Sequence, residues 1–198
     1  MKLYFAGPSP FVRKCRIVAR EKGLADRIVE IAVNPYENAP ELMATNPVVQ
    51  VPTLIADDGL PLTDSPVICE YLDALGDGPR LLPENGEARL RVRRIETLAN
   101  GALEMGVKWL LELRRPESER SPSWIARWSL NLDRSLDALE AARLDPAGLD
   151  MGTITAGVAV TWISFRHPDH DWQTGRPALV ALQAALEARP SFMDTRPV

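Results

Sequence analysis

The sequence predicts a mixed α/β unit followed by an all-helical one, and three observations carry that prediction. Strand-like and helix-like segments alternate through the first 77 residues. Gly76, Gly78 and Gly86 then fall with Pro79 and Pro83 in an aperiodic stretch, 76–86, that reads as a linker. Beyond it no strand pattern occurs, and apolar residues recur every three or four positions. One domain is therefore expected at 1–77 and a second at 87–198. A chain of 198 residues has room for two small domains.

Each element has a local reason. Lys2–Gly7 reads as a strand. Pro10–Gly23 reads as a helix, with Phe11, Cys15, Val18 and Ala19 near one face and Gly23 as its stop. Arg27–Val33 alternates as a second strand, and a short helix follows around Pro40–Thr45. Two apolar runs, Thr53–Asp57 and Leu60–Thr63, flank Asp58-Gly59, the strongest short-range hairpin signal. Pro66–Leu75 closes the unit as a helix. The strand–helix–strand opening implies a right-handed parallel crossover, and the hairpin adds antiparallel strands. A mixed sheet of about four strands follows.

In the second unit Ile95, Leu98, Ala102, Met105, Trp109 and Leu113 share one helical face. Ile125, Trp128, Leu132, Leu136 and Leu139 share another. Ile154–Phe165 is apolar nearly all round and is expected at the centre of a helical bundle. Pro177–Ala188 is the last amphipathic helix.

Composition narrows the function classes. Hydrophobic residues are 45% and charged residues 25%, as in globular proteins. The formal net charge of -4 argues against broad binding to nucleic acid or anionic membrane. Residues 1–77 carry 7 Lys/Arg against 11 Asp/Glu and residues 78–198 carry 16 against 16, which suggests two units of different origin. The opening MKLYFAGPSP lacks a signal-type apolar region. The charge-free run Met151–Phe165 has 15 residues, fewer than the roughly 20 a spanning helix needs. Cys15 and Cys69, the two cysteines, form no disulfide framework and read as small buried residues. A cytoplasmic protein is expected.

Two helix starts carry the candidate chemistry. Ser9-Pro10-Phe11 leaves the first strand with Ser9 as N-cap and Pro10 at the first helical position. Such a Ser either caps its helix and no more, or sits where free N–H groups and the helix dipole favour an anion. Asp64-Ser65-Pro66 repeats the pattern, with Ser65 as the expected cap and Asp64 able to receive an ammonium. Between them Gln50-Val51-Pro52 precedes a strand. A cis bond at Pro52 would turn the Val51 N–H and C=O toward an extended peptide ligand.

The order of elements with S-P-F at the first helix, V-P before the third strand and D-S at the next helix resembles the N-terminal half of a glutathione S-transferase, which is thioredoxin-like and precedes an all-helical domain. SPFVRKCRIVAREKGL resembles small bacterial members with a Ser-Pro-Phe start. NPVVQVPTLIADDGLPLTDSPVICEYLD resembles the family's N-P-x-G-x-V-P and [ED]-S stretch. The likeness covers most of 1–75, with a weaker one around Phe165-Arg166-His167-Pro168. It implies glutathione as co-substrate, with no metal. Ser9 would donate its hydroxyl to the glutathione sulfur, with Phe11 beside it. Val51, before Pro52, would pair with the cysteinyl backbone. Asp64 and Ser65 would hold the γ-glutamyl end, and Gln50, with Asn34, would stand near the glycyl end. Met105 and Trp109 would line the pocket of a small apolar electrophile. A homodimer is implied as well. A non-enzymatic regulatory protein of the same fold, or a glutathione-dependent isomerase or dehalogenase, are the competing readings.

Two departures stand out. Val49 takes the place of the family's usual Gly. The Ser/Thr-x-x-Asp box expected at the buried helix is missing its Asp, leaving Thr153 as the expected cap. A Ser at position 9 also cannot form the mixed disulfide of members with Cys there.

The other clusters point elsewhere. His167 and His170 lack further partners for a metal shell. Arg89, Arg91, Arg93 and Arg94 are interspersed with Glu84, Glu87 and Glu96 and read as a solvated face or subunit contact. Trp109, Trp124, Trp128 and Trp162 fall on apolar helical faces and are expected in the core.

Overall fold

The structure, a computed structural model, describes residues 1–197. Four strands are present among them: β1 (Lys2–Phe5), β2 (Val29–Ala32), β3 (Thr53–Ile55) and β4 (Pro61–Leu62). The helices are α1 (Pro10–Glu21), α2 (Pro40–Thr45), α3 (Ser65–Leu75), α4 (Gly86–Leu113), α5 (Pro122–Ala142), α6 (Met151–Arg166), α7 (Pro177–Glu187) and α8 (Pro190–Met193). They form two compact units. One holds residues 1–81 with the stretch that begins at Pro190, and the other holds residues 82–189.

The first unit is thioredoxin-like. Its sheet has the order β2-β1-β3-β4. β1 runs parallel to β2, with Phe5 opposite Ala32, and antiparallel to β3, with Tyr4 opposite Thr53. β3 and β4 form the expected hairpin, but the strands stop at Ile55 and resume at Pro61. The Ala56 N–H donates to Leu60 O and the Leu60 N–H to the Asp58 carboxylate. Pro61 lacks an N–H and sits on the edge strand, where none is needed.

α1 and α3 pack together, and a buried ion pair joins their C-terminal ends. Lys22 Nζ lies 3.2 Å from Asp73 Oδ1, with side-chain exposures of 1% and 2%. Lys22 also donates to the carbonyls of Gly78 and Pro79, and Asp73 accepts the Leu81 N–H. Two desolvated charges are tolerable only with such a full set of partners.

Two boundaries differ from the sequence reading. α3 begins at Ser65, because the Asp64 carboxylate takes the Ser65 N–H and is itself the N-cap. The last residues, grouped by sequence with the helical unit, instead form α8 against α1. Phe192 is fully buried, its carbonyl accepts from Arg13 Nη2 at 3.1 Å, and the Arg13 guanidinium lies 5.4 Å from its ring centroid. Four residues are too short for a periodic signal.

The helical unit is organised on α6, which is buried at every position from Met151 to Val160. Its cap is not Thr153. Asp150 is the N-cap, accepting the Thr153 N–H at 2.7 Å and the Thr153 hydroxyl at 2.9 Å. The acid and the hydroxyl of the expected box have changed places. α4 crosses α6 closely enough to need glycine on both helices. A Cβ at Gly106 would stand 2.8 Å from Trp162 Cζ3, and one at Gly152 would stand 2.9 Å from Ile95 Cβ.

α7 carries no cap of its own, and the Glu140 carboxylate of α5 accepts its Ala178 and Leu179 N–H groups. Beyond α6, His167 is buried, stacks on Trp109 at 4.2 Å and donates from Nε2 to Gly106 O at 3.0 Å. Burial holds its pKa below the usual histidine value, against the opposing effect of that carbonyl. Of the four tryptophans expected in the core, Trp162 is buried, but Trp124 is 52% exposed and stacks on Trp128 at the surface.

Gly152→Ala is expected to cost about 1–3 kcal/mol in urea unfolding, because Ile95 and the Val92 carbonyl must move. Gly101→Ala, with open space beside it on α4, is expected to be neutral or to stabilise by up to about 1 kcal/mol. His167 is neutral in the fold and binds its proton more readily when unfolded. Stability is therefore complete above roughly pH 6.5, the unfolded value, and declines as pH falls below it. His167→Gln should flatten that decline in urea midpoints measured between neutral and mildly acidic pH.

Candidate functional site

Strand direction gathers the candidate residues. β1 and β2 both end where β3 begins and β4 ends, since Phe5 pairs with Ala32, Tyr4 with Thr53 and Leu54 with Leu62. The segments carrying Ser9, Asn34, Gln50–Pro52 and Asp64–Ser65 therefore all leave or enter one edge of one sheet.

Ser9 is the N-cap of α1, in extended conformation at φ -77 and ψ 121. Its Oγ accepts the Val12 N–H at 3.4 Å, and its carbonyl accepts the Arg13 N–H. Because Oγ is the acceptor in that bond, its own proton stays available to an outside acceptor. Pro10 follows at the first helical position, and Phe11 is half-buried.

Val51–Pro52 is a cis peptide bond. The β1–β3 ladder stops at Thr53, so Val51 lies outside it. Val49 has φ +55, a left-handed conformation in which a β-branched side chain is disfavoured. The family's usual glycine at this place meets the same backbone demand without that cost.

Asp64 is exposed, and Ser65 is buried at 0% exposure. Ser65 Oγ is a polar atom with no hydrogen-bond partner among the described residues. The Ser65 carbonyl faces Cys15 Sγ at 3.9 Å, and Cys69 Sγ is 3.7 Å from Cys15 Sγ. Burial, with the neighbouring Cys69, pushes the Cys15 thiol well above its ordinary pKa, so it is no nucleophile.

Sequence reasoning missed Asn46. It is fully buried at the end of α2. Its Nδ2 donates to Gln50 O at 3.1 Å, Thr53 Oγ1 at 2.9 Å and Thr63 Oγ1 at 3.3 Å, and its Oδ1 accepts the Val48 N–H. One amide thus fixes the segments on both sides of β3 and β4. Only the Asn-Pro pair ahead of V-P signalled it. Asn34 is committed differently: its amide caps its own turn, accepting the Tyr36 N–H and donating to Glu37 Oε1 at 2.8 Å.

In the helical unit Trp109 and Met105 are half-buried on α4. Trp109 lines a hollow of about 440 Å³ with Leu113, Pro122, Ile125 and Ala126, and Met105 is not among its lining residues. His170 Nε2 pairs with Asp133 Oδ1 at 3.1 Å. The described residues include no group of three or more His, Cys, Asp or Glu arranged to hold a metal. Arg91 pairs with Glu87, and Arg93 with Glu96. No described helix is long and apolar enough to cross a membrane.

The comparisons with known proteins agree with this architecture. Residues 8–75 match the pattern of the glutathione S-transferase N-terminal domain. The GST-like protein YibF of Escherichia coli K12 is 35% identical over 201 residues, covering 100% of this chain and 98% of its own. A glutathione transferase family member from Pseudomonas fluorescens Pf-5, crystallised with bound glutathione, is 33% identical with a TM-score of 0.95, covering 100% of this chain and 98% of its own. A glutathione S-transferase of Methylobacillus flagellatus with glutathione bound is also 33% identical, at a TM-score of 0.87, covering 100% and 99%. With likeness at this level along the whole length of both chains, the protein belongs to the glutathione S-transferase family.

Proposed function

We propose that the protein binds glutathione at this sheet edge, with Ser9 favouring the thiolate, and transfers it to a small apolar electrophile. The observation that carries the reading is the meeting of two capped helix starts, at Ser9 and Asp64, with the cis Val51–Pro52 segment. The glutathione held by full-length relatives at 33% identity supports it. In this reading Asp64 receives the γ-glutamyl ammonium, and Ser65 with the start of α3 receives the adjoining carboxylate. Val51 pairs with the cysteinyl backbone, held in place through Asn46, while Pro52, Phe11 and Gln50 shape the walls. Asn34 is left out, since its amide is spent locally.

The energetics are adequate. A free thiol has a pKa of about 8.5. Bringing it near 6.5 takes about 2.7 kcal/mol, from about 1.36 kcal/mol for each tenfold change. A hydroxyl bond to a charged acceptor supplies about 1.5–3 kcal/mol, and the α1 terminus adds to it. The thiolate then attacks an electrophilic carbon, forming the C–S bond as the leaving group departs with its electron pair. Trp109 and Met105 are proposed for the acceptor, as the family likeness assigns them. The enzyme would work as a cytoplasmic homodimer.

A second reading has a specific observation behind it. Stringent starvation protein A homologues are among the relatives, one at 37% identity over 100 residues, covering 48% of this chain. A maleylacetoacetate isomerase is 30% identical over 135 residues. Calorimetry with glutathione followed by an electrophile panel separates the three. Binding with conjugation supports transfer. Binding with isomerisation alone supports the isomerase reading, and no binding supports a regulatory protein.

Ser9→Ala should lower kcat/KM for an aryl halide about 10- to 100-fold while retaining glutathione binding. The bound thiol should then titrate near its free value, as read from the ultraviolet thiolate band. Unchanged turnover would remove Ser9 from the mechanism. Asn46→Asp replaces a donor facing three acceptors with a further acceptor. It should raise KM for glutathione more than it lowers kcat, and cost about 1–3 kcal/mol of stability.

A further inference from the structure

The hollow beside Trp109 lies wholly within the helical unit, and its walls are chemically uneven. Trp109, Leu113, Pro122, Ile125 and Ala126 make it largely apolar, and its volume of about 440 Å³ has room for a small organic molecule. Glu117, Arg120 and Ser129 complete the lining. Apolar walls with a few convergent polar groups are the usual form of a small-molecule site.

The charges around it are not equivalent. Arg120 is half-buried, and its Nε donates to Arg115 O at 2.9 Å. That bond positions the guanidinium and leaves its terminal nitrogens without a partner among the described residues. The neighbouring acids are engaged elsewhere. Glu112 Oε1 accepts the Ser121 N–H at 2.8 Å and lies 3.9 Å from Arg115, and Glu119 pairs with Arg115 at 3.1 Å. Glu117 lines the hollow but is exposed, so solvent screens it more than it screens Arg120. Arg114, directly after α4, and Arg166, in the last turn of α6, also lack a carboxylate partner among the described residues. Burial and the charge of Arg114 hold the Arg166 pKa below the ordinary arginine value, as expected where positive charge goes unanswered. Trp109 adds a donor, because its Nε1 is buried with no hydrogen-bond partner among the described residues. Buried donors are normally satisfied, so this one points to an acceptor brought by a ligand.

We propose that this hollow takes an apolar carboxylic acid, with its hydrocarbon part against Trp109 and Ile125 and its carboxylate on Arg120. The proposal rests on the transfer reading above in one respect. Trp109 is proposed there for the acceptor, so the electrophile of that reaction is itself an acid. The carboxylate is recognised and not consumed. With an aryl chloride acid, the glutathione sulfur forms the C–S bond, chloride leaves with the electron pair of the broken C–Cl bond, and the carboxylate stays unchanged.

Two matched pairs of probes test it on the intact protein. The first pair, para-methyl-dinitrobenzoate and its amide, has no leaving group and is compared by calorimetry. The acid should bind about five- to tenfold more tightly than the amide at low ionic strength. Arg120→Gln should abolish that difference, high salt should narrow it, and Glu117→Gln should widen it. The second pair, para-chloro-dinitrobenzoate and its amide, is compared as acceptors. Each kcat/KM is divided by the uncatalysed rate constant with glutathione, which removes the electronic difference between the rings. The acid should lead by a similar factor. Equal binding of acid and amide, or an acid preference that Arg120→Gln leaves intact, would overturn the proposal, while conjugation of either chloro compound would still uphold the transfer reading. A preference in binding without one in turnover would overturn the assignment of the electrophile as an acid. An Arg120-dependent preference with no conjugation of either chloro compound would remove the transfer reading and leave the hollow as an acid-binding site.

Discussion

The direction of four short strands governs the candidate site. With β1 and β2 parallel and β3 and β4 antiparallel to each other, four connecting segments meet at one edge although they come from positions 6–9, 33–38, 46–52 and 63–65. No one of these segments contains a site. Ser9 alone is a helix cap, and Asp64 alone is another. The sheet makes them neighbours, and the buried Asn46 amide ties the segment before β3 to the one after β4. Positioning is thus delegated to backbone geometry, and the side chains that remain are few, small and polar.

Much of this was legible beforehand because it rests on local chemistry. Ser9-Pro10 marked the start of α1, Asp58-Gly59 marked the hairpin, and the apolar run from Ile154 marked the buried helix. What stayed hidden depends on partners distant in sequence. Asn46 read as one polar residue before a proline, and its role appears only when Thr53 and Thr63 close around it. Lys22 and Asp73 stand 51 positions apart, with nothing local to mark them as partners, yet they pair inside the unit. Asp150 stands outside the apolar run, and the sequence pattern points to Thr153, the residue it binds, as the cap. Asp64 displaced Ser65 as the cap of α3, which frees the serine hydroxyl from that duty and leaves it unpartnered.

The helical unit follows a different economy. Its acidic and basic residues are nearly equal in number, while its interior is fixed by close contact between α4 and α6. Two glycines and a tryptophan set the separation of those helices. The buried His167 ring and the half-buried Glu140 carboxylate that caps α7 each end on backbone atoms of another segment. They tie loops to helices where apolar packing alone has no directional preference.

The placement of α8 has a bearing on synthesis. The first unit draws its core from residues 1–81 and again from Phe192, so 108 residues of the helical unit, 82–189, are threaded as an insertion within it. A nascent chain emerging from the ribosome can complete the helical unit before the unit that opens the sequence. Until the stretch from Pro190 arrives, the surface of α1 that receives Phe192 stays uncovered. Changes to that stretch would therefore perturb the sheet-bearing unit first, even though 108 residues of another unit separate the two in sequence.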